Sequence, residues 1–248
     1  MSFIQTKSFK LAVYEKGSRD SSKLALLLPG KLDTKDYSHM CSHVDFLAGK
    51  GYLALSFDPP GTWESSGDIK LYTMTNYLIA INELVEYFGN KQTLVMGHSR
   101  GGSMAIVAGA TNPYITHFVS VMSSFIKGGF REKADDTWKK ERFVVSMRDF
   151  PPGGGPKEKR FELPFSFYED QIKYDLTDEI TGSTKPKLFF LGKQDELIAP
   201  ESIKKTYELF VQPKELYKLD SSHDYRLYPN IINKVNEIVG NFLDTYKG

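Results

Sequence analysis

The feature that most constrains this chain is a regular switching of apolar periodicity between short strand-like runs and helical stripes. Apolar runs occur at Leu24 to Leu28, Tyr52 to Phe57, Thr93 to Met96, Ile115 to Met122, Lys187 to Leu191 and Glu215 to Leu219, each closed by Gly, Pro, Asp or Ser. Runs of this length without polar alternation are expected of strands buried on both faces. Between them, Leu78, Ile81, Leu84, Val85 and Phe88 share one helical face, as do Ile231, Val235, Ile238, Phe242 and Leu243. Strand alternating with helix predicts an α/β protein, a mostly parallel sheet flanked by helices with right-handed crossovers, preceded by an antiparallel edge around Phe3 to Glu15. At 248 residues the chain fits one large domain with a modest insertion.

One segment interrupts the alternation. From Ser124 to Thr184 no clear strand is visible, but Phe125, Phe130, Trp138, Phe143, Phe150, Phe161, Phe165, Phe167 and Tyr168 accumulate there. Helix-compatible stretches near Asp136 to Val145 and Phe167 to Glu179 flank a Pro/Gly-rich turn, Pro151 to Pro156, whose Gly153-Gly154-Gly155 is a hinge candidate. The expected organisation is a core domain of residues 1–123 and 185–248 with a small cap insertion at 124–184. Two readings of the insertion stand open: a lid with an aromatic underside over the strand ends, where open α/β sheets bind ligands, or a packing layer.

The chemistry is announced by Gly97-His98-Ser99-Arg100-Gly101, a G-x-S-x-G pattern between the strand Thr93 to Met96 and the small-residue stretch Gly102-Ser103-Met104-Ala105. Such a sharp turn holds a serine in a strained conformation with its hydroxyl exposed and aims a helix N-terminus at the reaction centre. A phosphate cradle is disfavoured, since there is no G-K-[ST] ending and Gly97, Gly101 and Gly102 miss the G-x-G-x-x-G spacing, while a purely structural turn stays open. A serine hydroxyl needs a base, and the base a carboxylate to hold its tautomer. Where such an elbow serves catalysis, acid and then histidine follow it on loops after strands. Asp195 follows the run ending at Leu191, and His223 follows the run ending at Leu219. Asp224 and Glu196 rival Asp195, and His39, His43, His98 and His117 rival His223. His39 and His43 sit on a helical stripe, His117 lies in a strand-like run, and His98 is expected to point away from the nucleophile. The oxyanion donors are expected to be the backbone amides of Arg100 and Lys31, with Leu32 as second choice to Lys31. The side chains of Lys31 and Arg100 read as solvated surface charge or as partners for a substrate carboxylate.

At these residues the chain resembles α/β-hydrolases of the single-domain esterase, lipase and peptidase-like kind, with a cap between strands six and seven. The resemblance covers nearly the whole chain: Leu28-Pro29-Gly30, Asp58-Pro59-Pro60-Gly61 with Ser65 and Gly67, Gly97 to Gly101, Gly192 to Pro200, and His223. Pro29 stands where a histidine is frequent, and Trp63 where D-x-x-G-x-G-x-S-x-G has its second glycine; this tryptophan narrows the pocket mouth or anchors packing. The resemblance implies an α/β-hydrolase fold and a serine hydrolase acting on a small carboxylic ester, with Ser99, Asp195 and His223 as triad. Leu32, Trp63, Phe125, Phe165 and Phe167 are the candidate substrate-binding residues. The same triad also suits a thioesterase, amidase, peptidase or lyase, and the fold suits a ligand receptor without turnover.

Composition narrows the partners. Lys plus Arg, 32, nearly equals Asp plus Glu, 31, so no electrostatic footprint of a nucleic-acid or anionic-membrane binder exists. Cys41 is the one cysteine, which excludes an internal disulfide and a cysteine-cluster metal site. No apolar stretch is long enough to span a bilayer, and residues 1–10 lack the apolar run of a signal peptide. The expected setting is cytoplasmic and the expected partner a small molecule with an apolar part; no metal site and no cofactor are expected. Oligomeric partners are left open.

Overall fold

Along the run Lys23–Leu28, Leu24, Leu26 and Leu28 enter one hydrophobic cluster while Ala25 and Leu27 enter another. A strand sends successive side chains to opposite faces, and here both faces are covered, so the run is apolar throughout. In a computed structural model, which describes residues 2–125, 136–151 and 157–247, this strand is third in the chain. The order is β1 (Ser2–Gln5), β2 (Lys10–Lys16), β3 (Lys23–Leu28), α1 (Ser38–Gly49), β4 (Leu53–Phe57), α2 (Met74–Tyr87), β5 (Gln92–His98), α3 (Arg100–Thr111) and β6 (Ile115–Val121). There follow α4 (Asp136–Glu141), β7 (Phe143–Asp149), β8 (Glu158–Pro164), α5 (Phe165–Gln171) and α6 (Asp178–Thr181), then β9 (Lys187–Gly192), α7 (Pro200–Leu209), β10 (Lys214–Leu219) and α8 (Pro229–Thr245).

The main sheet has the order β1-β2-β4-β3-β5-β6-β9-β10. β1 pairs with β2 and β2 with β4 antiparallel, and every other neighbouring pair is parallel. The antiparallel edge and the parallel strands therefore fall where periodicity puts them, but β10 is an edge strand, and of its residues Leu219 alone is buried. Val44 and Leu47 of α1 and Val235, Val239 and Phe242 of α8 cover one face, while Tyr77 and Ile81 of α2 and Met104 and Ile106 of α3 cover the other. Helix α2 begins at Thr73, whose hydroxyl accepts from the Asn76 amide at 3.1 Å, and α8 begins with proline in its first turn. Among the described residues no helix is long and apolar enough to cross a membrane.

The interrupting segment corrects one expectation. Helix α4 stops at Glu141, and Phe143–Asp149 is not helical but a strand paired antiparallel with β8. Phe143, Val145 and Met147 alternate with the more sheltered Val144, Ser146 and Arg148, the two-residue period of a half-buried hairpin strand. Its pairing partner begins beyond the turn, at Glu158, which removes the local signal a short hairpin loop would carry. The helical stretch expected from Phe167 to Glu179 breaks into α5 and α6. Phe130 and Gly153-Gly154-Gly155 lie outside the described residues. Trp138, Phe161, Leu163, Phe167 and Ile180 join the same apolar cluster as α2 and α3, so the aromatic residues of the segment are largely spent on packing.

Polar contacts fasten this segment to the sheet side. The Arg226 guanidinium donates to both carboxylate oxygens of Asp149 at 2.8 and 2.9 Å, and the Tyr37 hydroxyl donates to the Asp149 carbonyl at 2.8 Å. Burial pushes the Asp149 carboxyl up, but Arg226 outweighs it and holds it below its ordinary 3.8. A carboxyl depressed in the folded state contributes stability above its unfolded value, and that contribution fades as pH falls through the folded value. We expect Asp149→Ala at neutral pH, and acidification below 3.8 in the wild type, to speed amide hydrogen exchange across β7 and β8 before β3 and β5 respond. Unchanged hairpin protection in Asp149→Ala would show that the contact fastens nothing.

Candidate active site

Ser99 lies between β5 and α3 at φ 51° and ψ −118°, a left-handed conformation that costs a residue with a Cβ of order 1–3 kcal/mol. The surrounding glycines explain why the chain accepts it. A Cβ on Gly97 would stand 2.1 Å from the Gly101 carbonyl, and one on Gly101 would stand 1.9 Å from the Leu28 carbonyl oxygen. The first turn of α3 thus rests directly on the backbone at the end of β3. The loop after β3 abuts the serine as well, because a Cβ on Gly30 would lie 3.4 Å from Ser99 Cβ.

His223 and Asp195 meet on the neighbouring loops. His223 Nδ1 lies 2.9 and 3.0 Å from the two Asp195 carboxylate oxygens, and both side chains are buried. Oδ1 of Asp195 also accepts from the amides of Leu197 at 3.0 Å and Ile198 at 2.8 Å. Flanked by two carboxylate oxygens, Nδ1 is placed to donate, which leaves Nε2 as the acceptor of the ring. The rival carboxylates are otherwise engaged: Glu196 accepts from the His223 backbone amide at 3.2 Å, and Asp224 lies 3.6 Å from Arg226. Of the rival histidines, His43 contacts Asn236 and Tyr225, His117 contacts the Tyr246 carbonyl, and His39 is buried on α1. His98 contacts the His223 carbonyl through Nε2 at 3.0 Å.

Ser99, His223 and Arg100 line one cavity of about 640 Å³ together with Lys31, Asp33 and Phe125. The Leu32 amide donates to the Tyr72 hydroxyl at 3.2 Å, which withdraws it as an oxyanion donor and favours Lys31 of the two. The solvated reading of Arg100 does not hold. Its guanidinium is buried, donates to Gln171 Oε1 at 2.7 Å and lies 5.2 Å from the Phe167 ring. Lys31 Nζ stands 5.6 Å from the rings of both Trp138 and Phe167.

Of the five candidate substrate-binding residues, Phe125 lines the cavity and four do not. Leu32 is buried in the core. Trp63 donates its indole N–H to the Leu32 carbonyl at 2.8 Å and meets Phe150 and Phe161 edge-on, so it anchors packing. Phe167 stacks on Tyr72 at 5.2 Å, and Phe165 on Tyr168 at 5.4 Å. What the β7–β8 hairpin presents to the cavity is polar, Ser146 and Arg148, while the apolar wall beside Phe125 comes from Leu197 and Ile198 after β9. Sequence reasoning missed Asp33 and Arg148. Asp33 stands three residues beyond Gly30 and was open to inspection, whereas Arg148 becomes visible only once its segment is known to be a strand.

Because the carbonyl of Leu28 belongs to a central strand and cannot yield, Gly101→Ala is expected to cost about 2 kcal/mol or more of stability and to displace Ser99. Urea unfolding alongside an activity assay checks both effects. A fully stable variant would mean that α3 can back away from β3.

No protein-family profile matches the chain. No curated protein matches it either. Solved structures do. Est1E from Butyrivibrio proteoclasticus, solved with ferulic acid bound, superposes with a TM-score of 0.77 at 19% identity over 98% of each chain. The alpha/beta hydrolase domain-containing protein 10 from mouse gives 0.76 at 16% identity, again over 98% of each. The Pyrococcus furiosus esterase Pf2001 gives 0.70 at 20% identity over 100% of this chain and 92% of its own. With its mostly parallel eight-stranded sheet, flanking helices and near-complete overlap with these structures, the chain has the α/β-hydrolase fold.

Proposed function

We propose that this chain is a serine hydrolase that cleaves a small carboxylic ester through an acyl-enzyme intermediate, with Ser99 as nucleophile, His223 as general base and Asp195 as its orienting carboxylate. The observation that carries the reading is the convergence on one cavity of a serine in a strained elbow and a histidine whose Nδ1 is fixed by a buried carboxylate. Ser99 attacks the ester carbonyl while His223 Nε2 takes its proton. The amides of Arg100 and Lys31 receive the developing oxyanion, aided by the positive end of α3. His223 then returns the proton to the departing alkoxide, and water repeats the sequence on the acyl-enzyme. Esterases among the fold neighbours support the ester as the bond. The substrate rests its apolar part on Phe125, Leu197 and Ile198 and its polar part under Ser146 and Arg148.

Ser99→Ala is expected to lower kcat/KM for an activated ester by about 10⁴-fold or more and to abolish labelling by a fluorophosphonate, with the fold intact. Persistent turnover or labelling would remove Ser99 from the mechanism. His223→Ala should lose a comparable factor, and Asp195→Asn, which reverses the preferred tautomer, roughly 10⁴-fold. Loss on His98→Ala with a mild His223→Ala would reassign the base.

Each methylene buried against Phe125 should improve kcat/KM by roughly fourfold, from about 0.8 kcal/mol per CH₂, until the cavity is filled. Phe125→Ala is expected to flatten that chain-length series more than it slows an acetyl ester. A series unaltered by Phe125→Ala would put the apolar part elsewhere.

A further inference from the structure

Beside the triad, on the side of α1, three buried side chains from three elements converge. Asp33 comes from the loop after β3, His39 from α1 and His98 from the end of β5, and one donor atom of each lies within 4.8 Å of the other two. His98 Nε2 stands 3.0 Å from the His223 carbonyl oxygen, which can only accept, so Nε2 carries the proton. Nδ1 of a neutral His98 is therefore a bare lone pair, and it faces Asp33 Oδ2 at 3.8 Å. Two electron-rich atoms are thus turned toward each other in a buried space.

His39 deepens the anomaly. Its ring is wholly inaccessible, and neither of its nitrogens has a hydrogen-bond partner among the described residues; nor does His98 Nδ1. Buried polar atoms without partners are rare, and an ion is one of the few things that satisfies several at once. The His39 and His98 rings lie 5.3 Å apart at 88°, so the two imidazoles approach the shared space from different directions.

We propose that Asp33, His39 and His98 form a binding site for a divalent transition-metal ion of the zinc class, with a water from the adjoining cavity as fourth ligand. Two imidazoles and a carboxylate suit this borderline ion. A metal-bound imidazole commonly donates its second N–H to a backbone carbonyl, as His98 does to His223. Tetrahedral ligation at about 2.1 Å sets donors roughly 3.5 Å apart, so the three side chains must close in slightly around the ion.

The opposing charges are limited. Arg148 Nε lies 4.0 Å from Oδ1 of Asp33, the other oxygen, and Arg226 is paired with Asp149. His43 contributes no ligand, since its nitrogens engage Asn236 and Tyr225. The ion takes no part in the acyl chemistry. It ties the loop after β3, α1 and the backbone of His223 together, and it stands whether or not Ser99 proves to be a nucleophile.

The test uses the tag-free full chain, stripped with a chelator and titrated with Zn²⁺ by calorimetry, with metal content measured after dialysis and Co²⁺ absorption as a report on coordination. The expected result is saturation at about one ion per chain, a raised Tm, and tetrahedral Co²⁺ bands. His39→Phe, which keeps the packing, and the milder His39→Gln should each weaken binding by at least tenfold, and Asp33→Asn likewise, while His117→Ala, a distant histidine on β6, changes nothing. Absence of saturable binding would overturn the proposal. So would affinity undiminished in both His39 variants, or affinity lost only in His117→Ala, which would assign the ion to a different site.

Discussion

Helix α3 starts in van der Waals contact with the backbone of β3, and the rest of the site depends on that contact. Gly101 has no side chain because the Leu28 carbonyl occupies the place of its Cβ, and Gly97 has none because the Gly101 carbonyl does. The turn between them is consequently too tight for an ordinary backbone path, and Ser99 takes up the left-handed conformation. The same contact draws the loop after β3 against Ser99, so that Arg100 and Lys31 line one cavity. A parallel sheet buried on both faces makes such an arrangement rigid, since β3 and β5 are held in register along their length.

The parts of the molecule readable from sequence are those governed by a period. Leu24 to Leu28 or Phe189 to Leu191 are apolar at every position because water reaches neither face, and that signal survives without any knowledge of partners. Asp195 and His223 were legible for a related reason, as each follows a strand by a few residues. The pairing of β7 with β8 was not. Phe143 to Met147 reads as either helix or strand over so short a span, and only its partner at Glu158–Pro164 decides. Phe165 and Phe167 were misread because aromatic content says that a surface will be buried without saying against what.

The polarity of the β7–β8 hairpin follows from the division of labour in the segment around it. Trp138, Phe161 and Phe167 serve the common core with α2 and α3, and the hairpin residues left to face the cavity are Ser146 and Arg148, while Ser124 and Phe125 reach it from the end of β6. An Arg100 side chain held by Gln171 and set against Phe167 links the residue after Ser99 to α5. The elbow and the insertion are in this way one packed unit at α5, though they stand far apart in sequence.

Arg226, which grips Asp149 at the end of β7, follows His223 by three residues on the same short loop. The β7–β8 hairpin and the His223 imidazole are therefore attached through one stretch of chain. Their positions are not independent, because three residues of covalent backbone join the guanidinium that holds Asp149 to the ring that meets Asp195.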